Sequence, residues 1–269
     1  MKPLALNNHK NMLSVYPIPA FTDNYIWIFQ DPATHLAYVV DPGESAPVFD
    51  YLNQQNWDLG GILITHHHWD HTGGIEDLLA KYPVPVYGPD SANISHITHK
   101  LYHGDSLAIG NQLTFEILEI PGHTLDHIAY FLNSEDPLVF CGDTLFAGGC
   151  GRIFEGTPAQ MHASLSALAQ LPKDTRVCCT HEYTLGNLNF AKTVEPTNAD
   201  LLERIAVDSK TREANSPTLP STLALELETN PFLRTKAQSV IQAAETFLGS
   251  PCNSDVEVLA AIRQWKDNF

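Results

Sequence analysis

No apolar run in the chain approaches the roughly 20 residues that a membrane-spanning helix needs, and no Cys-x-x-Cys pair occurs. The apolar stretch Pro3-Leu4-Ala5-Leu6 is too short for the core of a secretory leader, so a soluble, cytoplasmic protein with no membrane partner is expected. Cys141, Cys150, Cys178, Cys179 and Cys252 are odd in number and lack metal-ligand spacing, which argues against a disulfide framework or a zinc ribbon. Adjacent Cys178 and Cys179 read as packed thiols in a reducing compartment. Positive charge is also scarce: 15 Lys and Arg against 31 Asp and Glu leave a net charge of −16, which opposes binding to nucleic acid or anionic lipid. Between Lys100 and Lys173 the only basic residue is Arg152, so each cation is worth locating individually.

With 269 residues and 43% apolar content, the chain is long enough for one large domain or two ordinary ones. From Val15 to about His181 it reads as short β-rich runs broken by turn signals: Tyr25–Phe29, Ala37–Val40, Gly61–Thr65, Val84–Tyr87, Leu113–Ile120, His127–Leu132, Leu138–Cys141 and Arg176–Thr180. A helix is expected over Ile75–Lys81, and Thr157-Pro158 opens another that runs to about Gln170. After Pro196 the pattern turns helical, over about Ala199–Ala214, Ser221–Glu228, Thr235–Leu248 and Ser254–Trp265, the last beginning with the capping-box pattern Ser254-Asp255-Val256-Glu257. The fold class is therefore α/β, with a domain over residues 1–182 followed by a smaller α-helical domain over 183–269.

Thr65-His66-His67-His68-Trp69-Asp70-His71-Thr72-Gly73-Gly74 follows an apolar β-run. On extended chain, residues two apart face the same side about 6.5 Å apart, so His66, His68 and Asp70 are expected to converge while His71 serves a neighbouring point. A zinc-type ion needs more nitrogen and oxygen ligands than one loop supplies, and suitable residues close other apolar runs: His123 after Leu113–Ile120, Asp143 after Leu138–Cys141, and His181 after Arg176–Thr180. That recurrence argues against a surface loop rich in histidine by chance. His67 and His127 read as neighbours of the ligands, and Asp41 as a turn residue able to support one of them.

These motifs, with Pro121-Gly122-His123-Thr124, Gly142-Asp143-Thr144-Leu145-Phe146 and Thr180-His181-Glu182-Tyr183-Thr184, resemble the metal-binding motifs of the metallo-β-lactamase superfamily. More narrowly, the chain resembles the hydroxyacylglutathione hydrolase (glyoxalase II) family from Pro19-Ala20-Phe21-Thr22-Asp23-Asn24-Tyr25 through Gly149-Cys150-Gly151-Arg152 and Asn230-Pro231-Phe232-Leu233-Arg234 to Lys266-Asp267-Asn268-Phe269. The resemblance implies an αββα sandwich and two divalent ions, one held by His66, His68 and His123, the other by Asp70, His71 and His181, with Asp143 bridging. Zinc is the expected ion, and iron or manganese suit the same ligands. The implied reaction is hydrolysis of S-(2-hydroxyacyl)glutathione, with S-lactoylglutathione yielding D-lactate in the second step of methylglyoxal detoxification. In that scheme a bridging hydroxide attacks the thioester carbonyl and Asp70 also orients it.

Glutathione carries two carboxylates and an amine, so cations should bind it. Arg152 stands where the family has Lys or Arg, Tyr183 matches a glutathione-contacting position, and Arg234 with Lys236 are expected to bring charge from the helical domain. Two positions depart from the pattern: Phe154 replaces a Tyr of some relatives, and Asp126 falls where Gly is usual. A monomer is expected. The alternatives are a persulfide dioxygenase-like enzyme using one iron held by two histidines and an aspartate, another superfamily hydrolase, or a scaffold whose metals only stabilise the fold.

Overall fold

Alternate residues of one early strand, Asn24–Gln30, serve two different apolar layers. Tyr25, Trp27 and Phe29 enter the core between two sheets, whereas Ile26 and Ile28 enter a separate cluster on the outer face. A computed structural model describes residues 13–110 and 112–269; the expectations for the first twelve residues lie outside the described residues. The first sheet contains β1 (Val15–Ala20), β2 (Asn24–Gln30), β3 (Leu36–Val40), β4 (Asp58–Leu63), β5 (Val86–Pro89) and β6 (His99–Leu101), paired in that order. Pairing is antiparallel as far as β3 and parallel thereafter, so the chain must cross back between strands, through helices before β4 and β5 and through an irregular segment before β6. Two of these helices, α1 (Ala46–Gln55) and α3 (Ile75–Lys81), bury Val48, Leu52, Ile75 and Leu78 against the outer face; a single helical turn, α2 (Trp69–Thr72), precedes α3.

The second sheet is built from β7 (Ser106–Ile109), β8 (Leu113–Glu119), β9 (Ile128–Leu132) and β10 (Leu138–Gly142), then β13 (Arg176–Cys179) and β14 (Ser221–Thr222); β11 (Leu145–Phe146) and β12 (Gly149–Cys150) form a separate hairpin. Its central strands β9 and β10 are buried throughout, as continuous apolar runs covered on both faces should be. Helix α4 (Pro158–Leu168) adds Met161, Leu165 and Leu168 to that core. It starts with a capping box in which Thr157 and Gln160 satisfy each other's backbone N–H groups. The helices α5 (Thr184–Val194), α6 (Ala199–Glu213), α7 (Leu223–Thr229), α8 (Gln238–Leu248) and α9 (Asp255–Asp267) follow. The architecture is the expected αββα sandwich with a helical carboxy-terminal region.

Several elements differ from the sequence pattern. No helix was expected at α1 or α5: neither start has a side-chain cap, and α5 contains Gly186 and buried Asn187, so packing rather than local signals stabilises it. Ser221-Thr222 was expected to open a helix but extends the second sheet by pairing with β13, and the Thr222 hydroxyl then caps α7 by accepting from Leu225 N. The helical region thus contributes a strand to the sandwich.

A buried polar network ties that region to the β11–β12 hairpin. Glu226 of α7 accepts from Arg204 Nη2 of α6 at 2.6 Å, from the Ser221 hydroxyl, and from Gly148 N at 2.8 Å. Asn230 Nδ2 donates to the carbonyls of Phe146 (3.2 Å) and Gly149 (2.9 Å). Because the hairpin lies between Asp143 and Arg152, this network fixes the segment joining them. Removing one partner would strand a buried charge, so Glu226→Ala should destabilise the fold by about 3–5 kcal/mol in chemical unfolding, whereas exposed Lys236→Ala should stay within about 0.5 kcal/mol.

Candidate metal centre

Strand β4 delivers the chain to Thr65, whose N–H and hydroxyl both donate to Asp41 at 2.8 and 2.7 Å. Beyond it the backbone is still extended at His68, but α2 begins at Trp69. That helical turn corrects the expected convergence of His66, His68 and Asp70 from one face. Asp70 is rotated away from His66 and His68 and stands beside His71 instead. Gly43 makes the turn's position possible, since a Cβ there would lie 1.9 Å from the Asp70 carbonyl oxygen.

Two groups of side chains result, each with its ligand atoms within 4.8 Å of one another: His66, His68 and His123 in one, Asp70, His71 and His181 in the other. In the first, His68 Nδ1 lies 3.1 Å from both His66 Nε2 and His123 Nε2. In the second, Asp70 Oδ2 lies 3.6 Å from His71 Nε2 and 3.5 Å from His181 Nε2. Asp143 stands between them, with Oδ2 3.5 Å from His123 Nε2 and 3.3 Å from His181 Nε2, and Oδ1 3.5 Å from His71 Nε2. Its projection depends on Gly142, where φ is +47° and a Cβ would meet Thr65 Oγ1 at 2.4 Å. Asp41, His66 and His71 form a third possible set.

Four imidazoles turn Nε2 inward because Nδ1 is engaged outside. His66 Nδ1 meets the Thr65 hydroxyl (3.0 Å), His71 Nδ1 meets Asp41 (3.0 Å), His123 Nδ1 meets the Arg152 carbonyl (2.8 Å), and His181 Nδ1 meets Asp23 (2.8 Å). Such outer bonds fix the tautomer that presents a lone pair to a metal. His71 Nε2 and Asp143 Oδ1 are buried with no hydrogen-bond partner among the described residues. Unsatisfied buried polar atoms are costly, and divalent cations would satisfy both. The side chains present therefore fit a metal site.

The electrostatics agree. Burial pushes the His66, His68 and His123 imidazoles below their ordinary pKa, keeping them neutral. Burial is the largest influence on His71 and Asp143 and opposes charge on both, but the attractions together outweigh it, Asp143 and Asp41 raising His71 and His71 and His181 lowering Asp143. A divalent cation would answer the same attraction. His127 serves a different purpose: its Nε2 accepts from Asp143 N at 3.0 Å, and burial, followed by His123, pushes its pKa down to about 3. His67 pairs with Asp126 at 2.9 Å, outside both groups, so the departure at Asp126 supplies that histidine's partner.

Asp70, Asp143, His68, His123 and His181 line a cavity of about 1040 Å³. Arg152 and Tyr183 also line it, and the Tyr183 ring stacks on His181 with centroids 4.6 Å apart. Phe154 lines it too, with its ring against His68 and His123 and no hydroxyl to offer. The other two expected substrate contacts require correction. Arg234 donates to Glu195 at 2.7 and 3.1 Å and to the Leu227 carbonyl, and it does not line the cavity. Lys236 is 85% exposed beside Asp255 and does not line it either. Both follow the Pro231–Leu233 turn, which directs one guanidinium to a buried carboxylate and the ammonium to solvent.

The sequence reading missed Arg212, Arg263 and Lys266, all of which line the cavity. Arg263 and Lys266 are three apart on α9 and so share a face; cations at helical spacing in an acidic chain were the available signal.

The profile of the metallo-beta-lactamase superfamily matches residues 24–181, and that of the hydroxyacylglutathione hydrolase C-terminus matches residues 182–269. Hydroxyacylglutathione hydrolases of Cupriavidus metallidurans and Pseudomonas fluorescens are each 51% identical to the chain, covering 96% of it and 100% of their own length. Among solved structures, ETHE1 from Myxococcus xanthus superposes with a TM-score of 0.64 at 24% identity, covering 95% of this chain and 100% of that one. TTHA1623 in a di-iron-bound form gives 0.59 at 23%, covering 81% and 100%. These two likenesses bear on the fold alone. From the two profile matches and the near-full-length relatives, the chain belongs to the hydroxyacylglutathione hydrolase family of the metallo-β-lactamase superfamily.

Proposed function

We propose that the chain hydrolyses S-(2-hydroxyacyl)glutathiones such as S-lactoylglutathione, using two divalent ions, zinc by preference, on either side of Asp143. The observation that carries this reading is the pair of three-ligand groups sharing Asp143 on the wall of a cavity that also presents Arg152, Arg263 and Lys266. Held there, the ions would supply Lewis acidity and lower the pKa of water to about 7. Asp143 would serve both ions, and Asp70 would also orient the attacking oxygen.

The remaining work falls to this chain's side chains. Arg152 and Lys266 offer positive charge to the carboxylates of glutathione, Arg263 is itself held by the Cys150 carbonyl and Asp267 behind them, and Tyr183, stacked on His181, offers a ring and a hydroxyl beside the reacting centre. The leaving thiolate needs little protonation because thiol pKa values lie near 8.5, which suits a wall without a dedicated acid. A one-iron persulfide dioxygenase would leave the second ligand group without a role. Five free thiols accord with a reducing cytoplasm, and no helix among the described residues is long and apolar enough to cross a membrane. We place the enzyme in that compartment as a monomer.

Asp143→Ala should lose most bound metal together with thioesterase activity, followed by elemental analysis and ultraviolet loss of S-lactoylglutathione; full metal content with full turnover would contradict the bridging role. Arg152→Ala should raise KM by about tenfold, or ~1.4 kcal/mol, with little change in kcat, whereas Arg234→Ala should leave KM unchanged. Burial, reinforced by Arg263, pulls Lys266 down to about 8. Its ammonium is present below that pH and lost above it, so KM should rise as pH passes 8. The rise should vanish in Lys266→Ala, and a pH profile shared by both proteins would count against this contact.

A further inference from the structure

The turn between β1 and β2, residues 21–23, and the first residues of β2 touch only one of the two ligand groups. Asp23 Oδ1 lies 2.8 Å from His181 Nδ1, and Asn24 Nδ2 donates to Asp70 Oδ2 at 3.1 Å. Its placement is built into the backbone: Tyr25 N donates to Thr180 O at 2.6 Å, Glu182 N donates to Asp23 O at 2.8 Å, and Asn24 and His181 form an isolated antiparallel bridge. The Phe21 ring meets Trp69 edge-on at 5.0 Å, holding the turn against α2. Asp70 and His181 come from different sheets, and this segment joins them. The other group has no such clamp, because His66 and His123 are held by a hydroxyl and a backbone carbonyl.

We propose that Asp23 and Asn24 are positioning residues for one ion alone, setting the affinity of the Asp70–His71–His181 position while leaving the His66–His68–His123 position unaffected. Asp23 fixes the His181 tautomer and raises its basicity, and Asn24 fixes the rotamer of Asp70. Loss of such outer partners typically weakens metal binding 10–100-fold. This inference rests on the two-ion reading given above.

The test is metal content of the purified, metal-replete protein after dialysis against graded chelator, for wild type, Asp23→Ala, Asp23→Asn and Asn24→Ala, with circular dichroism as the folding control. Wild type should hold two equivalents. Asp23→Ala and Asn24→Ala should release one equivalent at 10–100-fold lower chelator concentration and retain the other as wild type does, and Asp23→Asn should fall between. In a His68→Ala background, Asp23→Ala should deplete the equivalent that remains; in a His71→Ala background it should not. Two equivalents released together, or a release curve unchanged from wild type in all three folded variants, would overturn the positioning role. A wild type holding fewer than two equivalents would overturn the two-ion reading and this inference with it.

Discussion

The site depends on a single electrostatic constraint: Asp143 is buried among imidazoles, within 3.5 Å of ring nitrogens from both ligand groups, and a buried carboxylate needs positive charge beside it. Against burial, attraction to His71 and His181 holds its carboxyl well below the usual range, and divalent cations would supply that charge without leaving His71 Nε2 unsatisfied. The glycines around the centre follow from this. Gly142 permits Asp143 to project where Thr65 and His127 leave no room for a Cβ, and Gly43 lets the Asp41 turn reach α2.

A second layer of polar contacts makes the centre an outcome of the whole sandwich. The first sheet supplies Asp41 behind His71, the β1–β2 connection supplies Asp23 behind His181, and the backbone of Arg152 stands behind His123. The helical region acts through Glu226 and Asn230, which hold the hairpin between Asp143 and Arg152. Asp143, proposed to serve the ions, and Arg152, proposed to meet the substrate's charge, therefore lie on one segment that the helical region holds in place.

Much of this was legible in the sequence because the proposed ligands cluster in the segments that follow strands β4, β8, β10 and β13, and an apolar run followed by His or Asp survives folding as a spatial address. Local geometry was less legible: Trp69–Thr72 carries no cap signal, so α2 looks extended and the two-residue alternation sets Asp70 with His66 and His68, whereas the family resemblance sets it with His71 and His181. Arg234 illustrates a different limit. Charge counting could not distinguish a cation facing the cavity from one consumed by buried Glu195, because that carboxylate is 39 residues away in the chain. Lys266 was overlooked for the converse reason: its value comes from the acidic chain's shortage of cations near the cavity, visible only once α9 is docked.

The most direct measurement is anomalous diffraction at a metal absorption edge from crystals of the metal-replete protein. The account predicts two peaks about 3.5–4 Å apart, one bounded by His66, His68 and His123, the other by Asp70, His71 and His181, with Asp143 touching both. A single peak, or one lodged between Asp41, His66 and His71, would contradict it.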